Sequence, residues 1–244
     1  DRGEVRVLGE DSALKAKDRI GYLPEERGVY RKMKVADFLE HMAILKGVPR
    51  RDCARRISQW LERVGLPEVA KKKCEELSKG MQQKVQLIGT VLHKPDLLIL
   101  DEPFSGLDPI NQELFRDLLE SYRREGKSVV LSTHGMELAE RMCDHICLIS
   151  RGRAVLQGEL KQIKREVGGN AYRLVAEGDL ERLRQFPEVE TMAANNGVVK
   201  LMLKPDASGH ETLRRMVEFL QVHEFRSEEP ELEQIFMKAV RDAA

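Results

Sequence analysis

Asp101 and Glu102 close an apolar run, Leu97-Leu98-Ile99-Leu100. A short, wholly apolar stretch that follows Pro95 predicts a strand buried on both faces, as in a parallel sheet. Carboxylates at the end of such a strand stand where α/β proteins place a metal and a base. In that position Asp101 can hold Mg²⁺, directly or through water. Glu102 can take a proton from a water attacking a phosphate. A solvated strand end would carry the same pair without chemistry. His134 follows a second apolar strand, in Ser132-Thr133-His134. Parallel neighbours end on one edge, which predicts His134 near the acids. An imidazole there can donate a hydrogen bond to a phosphate oxygen, or it can be structural. Ser78-Lys79-Gly80 opens a helix. The free N–H groups of a helix start, with the positive end of its dipole, form an anion site. An ordinary serine N-cap gives the same local pattern.

One stretch imitates a phosphate-binding loop. Ser121 to Ser128 reads SYRREGKS, with Ser121 where GxxxxGK[ST] needs its first Gly. Such a loop must run from strand to helix so that its N–H groups face the anion. Here the order is helix, Gly126, strand, so Gly126 reads as a helix C-cap. GxxxxGK[ST] does not occur elsewhere in the sequence.

Several elements must position these groups. Val5, Val7 and Leu8 suggest a strand and turn, and Ile20, Tyr22 and Leu23 a brief strand stopped by Pro24. Apolar positions at helical spacing predict a helix from Val35, stopped by Gly47 and Pro49. A second carries Ile57, Trp60, Leu61 and Val64 and stops at Gly65 and Pro67. Met81, Val85, Ile88 and Leu92 mark one face of the helix after Ser78. Asp108-Pro109 supplies an N-cap and N1 proline for a helix through Tyr122. Strands at Ser128–Ser132, His145–Ser150 and Arg153–Gln157, with a helix Met136–Met142, complete an α/β order. A composition shift at Val167-Gly168-Gly169-Asn170 marks a linker. Beyond it come strand Tyr172–Ala176, helix Leu180–Gln185, strand Val189–Ala193, an Asn195-Asn196-Gly197 turn and strand Val198–Leu203. A helix Glu211–Val222, a short strand near Phe225 and a last helix Leu232–Val240 follow. The βαββαβ order suggests a ferredoxin-like α+β unit.

Composition narrows the classes. Of 244 residues, 41 are Lys or Arg and 41 Asp or Glu, so the charge balance gives no reason to expect nucleic acid as a partner. No apolar run approaches the ~20 residues of a membrane span, and the N-terminus has no signal-peptide pattern. Cys53, Cys74, Cys143 and Cys147 form no CxxC pair and read as buried free thiols of a reducing cytosol.

Taken together, the motifs resemble the nucleotide-binding domain of ABC transporters. LSKGMQQK is similar to the ABC signature, LLILDEP to the Walker B strand, SGLD to the D-loop, STH to the H-loop and GYLPEERGVY to the Q-loop segment. Order and spacing agree over residues 1 to about 160. The tail, ending PELEQIFMKAV, resembles the accessory domain of ABC ATPases of the sodium- and drug-export type. The resemblance implies a P-loop NTPase-like α/β core, a helical subdomain over about 34–76, a linker at 161–170 and an accessory α+β domain at 171–244. It makes Asp101 the Mg²⁺ ligand, Glu102 the general base and His134 the contact to the γ-phosphate of ATP. Ser78, Lys79, Gly80, Gln82 and Asp108 would serve ATP held by the opposite subunit of a head-to-tail homo- or heterodimer. Glu25 stands where most of the family has Gln; it can ligate Mg²⁺ but cannot donate as an amide does. Lys79 replaces the commoner Gly and adds positive charge. The Walker A loop is absent from the sequence and is expected upstream of Asp1, so these residues alone are expected to bind Mg-ATP weakly and to turn it over negligibly.

The implied function is that of an ATP-hydrolysing exporter subunit. It would work through a separate integral membrane subunit, on the cytoplasmic face of the membrane, with ATP and Mg²⁺ and without nucleic acid. A soluble ABC ATPase of repair or translation is the alternative, although paired cassettes and coiled-coil insertions are missing. A non-catalytic interaction module is the third reading, opposed by Glu102 and His134.

Overall fold

A computed structural model describes residues 3–242, apart from 13, 27, 168, 169, 196, 229 and 230. Asp1, the expected glycine pair of the linker, Asn196 of the expected turn and Pro230 of the tail motif lie outside the described residues. The chain divides into two compact units, Asp1–His134 and Gly135–Ala244.

In the first unit, β1 (Ile20–Leu23), β2 (Leu97–Asp101) and β3 (Ser128–Ser132) form a parallel sheet in the order β1-β2-β3. Asp96 aligns all three at their start. Its N–H donates to Arg19 O (2.8 Å), and its carbonyl accepts from Ser128 N (3.0 Å). Its carboxylate takes the Arg19 guanidinium at 2.7 Å, and that hydrogen bond holds the carboxyl below its ordinary value. The register then pairs Leu23 with Leu100 and Asp101 with Ser132. All three strands therefore deliver their following loops to one edge. The strand expected at Val5–Leu8 is reduced to a bridge between Val7 and Glu10.

β2 departs from the expected burial on both faces. Leu98 and Leu100 are buried, but Ile99 is only half-buried. It lies in register with Tyr22 and Val130, which are 56% and 54% exposed. The described residues leave this face of the sheet partly open.

Helices α1 (Val35–Leu45) and α2 (Arg50–Arg63) bury Phe38 and Leu39, and Ile57 and Leu61. Gly47 at φ +78° ends α1 in a conformation that favours glycine. Helix α3 (Lys79–Val91) is buried from Val85 through Val91, along with Gln83, rather than along one face. Helix α4 (Pro109–Arg124) buries Phe115, Leu118, Leu119 and Tyr122. Burying Phe115 completely is worth about 1.5–3 kcal/mol. Its ring meets Phe104 edge-on at 6.2 Å, which pins the loop after Glu102 to α4.

In the second unit, α5 (Met136–Met142) precedes an antiparallel hairpin of β4 (His145–Ser150) and β5 (Arg153–Glu159). Arg151 (φ +49°) and Gly152 (φ +74°) make its tight turn. The segment expected as a linker carries helix α6 (Leu160–Val167). Four strands follow: β6 (Asn170–Gly178), β7 (Val189–Asn195), β8 (Val198–Leu203) and β9 (Leu220–Ser227). They form an antiparallel sheet in the order β7-β8-β6-β9, the arrangement a βαββαβ chain needs. The first crossover, Leu180–Gln185, is 3-10 rather than α, and the second is α7 (Gly209–Met216). The helix expected to reach Val222 thus stops at Met216. From Leu220 the chain pairs with β6, because Leu220 and Val222 alternate toward the core at strand spacing. The last helix, α8 (Leu232–Asp242), packs Leu232 against Leu148 and Leu160. Glu140 on α5 ties this cluster together, accepting from Lys164 (2.6 Å) and from Leu232 N (2.9 Å). Burial alone would raise the Glu140 carboxyl; these bonds hold it below its ordinary value. Cys53 and Cys74 are buried as expected, whereas Cys147 is exposed on β4.

Candidate active site

The parallel register brings Asp101, Glu102 and His134 to one edge of the first unit. Ser132 Oγ donates to Asp101 Oδ1 across β2 and β3. Glu102 takes φ +43°, a left-handed value unusual for a side chain of its size. Its N–H donates to Ser132 O (3.0 Å), and its own carbonyl accepts from Ser105 N (3.0 Å). Those two bonds hold the turned backbone. The Glu102 side chain is only 17% exposed. Its Oε1 accepts from His134 N at 2.7 Å and lies 2.6 Å from His134 Nδ1. Among the described residues, its Oε2 meets only the hydroxyl of Thr133, at 3.4 Å. One carboxylate oxygen is thus tied down and the other is nearly free.

A second group gathers at the start of α3. Ser78 caps the helix through Oγ, which accepts from Met81 N at 3.3 Å. Asp108 caps α4, accepting from Asn111 N (3.0 Å) and Asn111 Nδ2 (2.5 Å). The Asn111 N–H, followed by its side-chain amide, lowers the Asp108 carboxyl from its ordinary value despite some desolvation. Gly80 lies against these residues: a Cβ placed on it would be 3.7 Å from Asn111 Nδ2 and 3.9 Å from Leu107. Gln82 turns its amide backward, donating to Cys74 O (3.0 Å) and Leu77 O (3.2 Å). It therefore holds the segment that leads into Ser78. Lys79 is exposed. Among the described residues, no hydrogen bond or ion pair joins this group to Asp101, Glu102 or His134.

A protein of Bacillus subtilis (strain 168) described as "Uncharacterized ABC transporter ATP-binding protein YhaQ" is 40% identical over 238 residues, covering 98% of this chain and 80% of that protein. This chain belongs to the ATP-binding proteins of ABC transporters. Residues 1–105 match the family model for an ABC transporter, and residues 158–240 that for an "ATP-binding protein DrrA1-3-like, C-terminal domain". Residues 73–140 also match an AAA domain model, "putative AbiEii toxin, Type IV TA system". Among solved structures, an "ATP binding subunit of ABC transporter" superposes with a TM-score of 0.62 at 29% identity, covering 68% of this chain and 71% of that one. A second, cbiO1 from Clostridium perfringens, described as part of the ABC transporter complex cbiONQ, gives 0.51 at 26% identity over 64% and 65%. ATP binding and hydrolysis are the activity of this ABC family.

The ABC chain also carries site-supporting groups that its sequence concealed. Gln83 donates to Pro103 O (3.4 Å), just after Glu102. Gln86 donates to Pro24 O (3.4 Å) and Glu26 O (3.2 Å), which fixes the loop holding the exposed Glu25. Thr90 Oγ1 donates to Tyr22 O at 3.3 Å. Buried polar side chains on a central helix thus stitch the ends of β1 and β2 to α3. The visible signal was three polar residues between apolar ones, a pattern that reads equally as a solvent face.

Proposed function

We propose that this chain supplies Glu102 as the general base of an ATPase that powers export through a separate integral membrane subunit. The observation that carries the reading is the unequal engagement of the two Glu102 oxygens. Oε1 is fixed by His134, while Oε2 carries one long contact and can take the proton of an attacking water. Asp101 leaves Oδ2 without a protein partner among the described residues, beside a bond from Ser132 to Oδ1. Carboxylate oxygens at this edge suit Mg²⁺, which takes one or two carboxylates together with phosphate oxygens. Asp101 and Glu25 would hold it, and bound there it would neutralise phosphate charge. His134 adds a condition of its own. If Nδ1–H donates to Glu102, Nε2 can donate to a γ-phosphate only as the imidazolium.

Ser78, Lys79, Gly80 and Asp108 serve ATP held by a second ABC subunit in a head-to-tail dimer. Gln82 contributes by positioning the approach to Ser78. The exposed start of α3 and its lack of bonds to Asp101 and Glu102 support that division. Residues 1–160 are read as the ATPase domain, with 34–76 as its helical part and 171–244 as the accessory domain. The family matches at 1–105 and 158–240 are in keeping with that reading. The membrane subunit docks at a cavity of about 470 Å³ between α1 and α2, lined by Ala36, Glu40, Ile57, Leu61 and Ala70 among others. Among the described residues no helix is long and apolar enough to cross a membrane. In this reading the membrane subunit holds the chain at the cytoplasmic face.

Glu102→Gln in the full-length protein tests the base. Hydrolysis should fall by about 10²–10⁴-fold, the usual contribution of a general base, with ATP binding retained. Hydrolysis at the wild-type rate would remove Glu102 from this role.

A further inference from the structure

Two short segments of the first unit pair antiparallel and carry a concentration of positive charge. Val35 N donates to Lys72 O (2.9 Å), Cys74 N to Met33 O (2.9 Å) and Glu75 N to Arg31 O (2.9 Å). Arg31, Lys32 and Lys34 stand on one segment, Lys71, Lys72 and Lys73 on the other, and all six are exposed. The chain as a whole is neutral, so this ribbon is a local excess. Among the described residues only Lys73 has an acidic partner, Glu75 at 3.8 Å. Lys34 and Lys73 face each other directly across the bridge. Like charges set directly opposite in a β pair are destabilising. Glu75 offsets part of this cost at Lys73, while Arg31, Lys32, Lys34, Lys71 and Lys72 have no acidic partner among the described residues, an arrangement that fits an external anionic partner.

We propose that this ribbon rests on the anionic phospholipid headgroups of the membrane beside the transporter. Clusters of four to eight basic residues next to a membrane bind acidic lipids. Tyr30 adjoins the ribbon, is 55% exposed, and has its ring braced edge-on by Phe38 (6.0 Å) and His41 (6.1 Å). A tyrosine held in this way suits the headgroup level. The ribbon is also continuous with the proposed docking cavity: Ala36 and Ala70 line that cavity, and Ala36 N donates to Ala70 O at 3.0 Å. The choice of lipid over another polyanion rests on the docking reading given above.

Co-sedimentation of the purified chain with vesicles, without ATP or membrane subunit, tests the lipid contact separately from docking. Vesicles rich in phosphatidylglycerol should bind the chain, pure phosphatidylcholine vesicles should not, and added salt should release it. Each lysine contributes about fivefold, so Lys71→Gln/Lys72→Gln/Lys73→Gln should weaken partitioning on the order of 100-fold. A control of equal charge loss, Lys161→Gln/Lys204→Gln/Arg214→Gln, should bind like wild type. Equal binding to both vesicle types, undiminished binding by the ribbon variant, or an equal loss in the control overturns the proposal. Tighter binding to RNA or to an acidic polypeptide than to the anionic vesicles overturns it as well. If vesicle binding fails while cross-links from the cavity to the membrane subunit form, the lipid contact is wrong and the docking reading stands.

Discussion

Replacing His134 by alanine removes the ring bond to Glu102 and leaves the backbone one. Two donors from His134 reach Oε1, the N–H at 2.7 Å and Nδ1 at 2.6 Å. Alanine keeps the first. A hydrogen bond to a charged group is worth about 1.5–3 kcal/mol. Each 1.36 kcal/mol is tenfold in rate, so a bond spent wholly on orienting the base corresponds to roughly 10- to 150-fold in kcat. The imidazole is 90% exposed, so water competes for the bond, and the expected loss is at the lower end, about tenfold. If Nε2 also holds the γ-phosphate, KM for ATP rises as well. Steady-state ATPase assays of the full-length protein measure both constants. His134→Asn, which keeps a short donor, should recover part of the kcat loss. A wild-type kcat in His134→Ala would refute the positioning of Glu102 by the ring.

Other perturbations test the scaffold. A methyl at Gly21 would come within 2.6 Å of Thr90 O and 2.8 Å of Leu98, so Gly21→Ala should destabilise by about 1–3 kcal/mol through overpacking. A lower urea midpoint is expected, and an unchanged one would contradict that tight approach of β1 to α3. Burial depresses the His93 imidazole, with the Ile20 carbonyl opposing, and the neutral ring donates Nε2–H to Ile20 O at 3.2 Å. The unfolded ring, at its ordinary 6.5, takes up a proton first as pH falls. The contribution of His93 is therefore complete above that pH and lost below it. His93→Gln should flatten the fall in urea midpoint between neutral and mildly acid pH, and an unaltered slope would count against it. Asp108→Ala removes the cap on α4 and should lower the thermal unfolding midpoint, and an unchanged midpoint would contradict the capping role.

Strong local chemistry was legible in the sequence. Asp108-Pro109 and Ser78 announced helix starts that the structure keeps, and the apolar run to Leu100 announced β2. The meeting of His134 with Glu102 followed from parallel order, because neighbouring strands in register end together. Long-range pairing was less legible. Leu220 and Val222 fit either a helix or a strand until the free edge of β6 selects the strand. Helix α3 carries buried Gln83, Gln86 and Thr90, whose partners include loop carbonyls at Pro103 and Pro24 and the carbonyl of Tyr22 in β1, far away in sequence. The left-handed turn at Glu102 has no composition signature, since a glutamate there is held by bonds to Ser132 and Ser105. Gln82 stands in the signature-like segment, and its amide ties that segment to the carbonyls of Cys74 and Leu77.

Residues 77–108 are proposed to serve two different ATP sites, one on each subunit of a dimer. Light scattering of the full-length Glu102→Gln protein with and without ATP tests it most directly. A dimer should form with ATP, persist because hydrolysis is blocked, and be lost when Ser78→Arg is added at the start of α3. A Glu102→Gln protein that stays monomeric with bound ATP, or a dimer indifferent to Ser78→Arg, would contradict it.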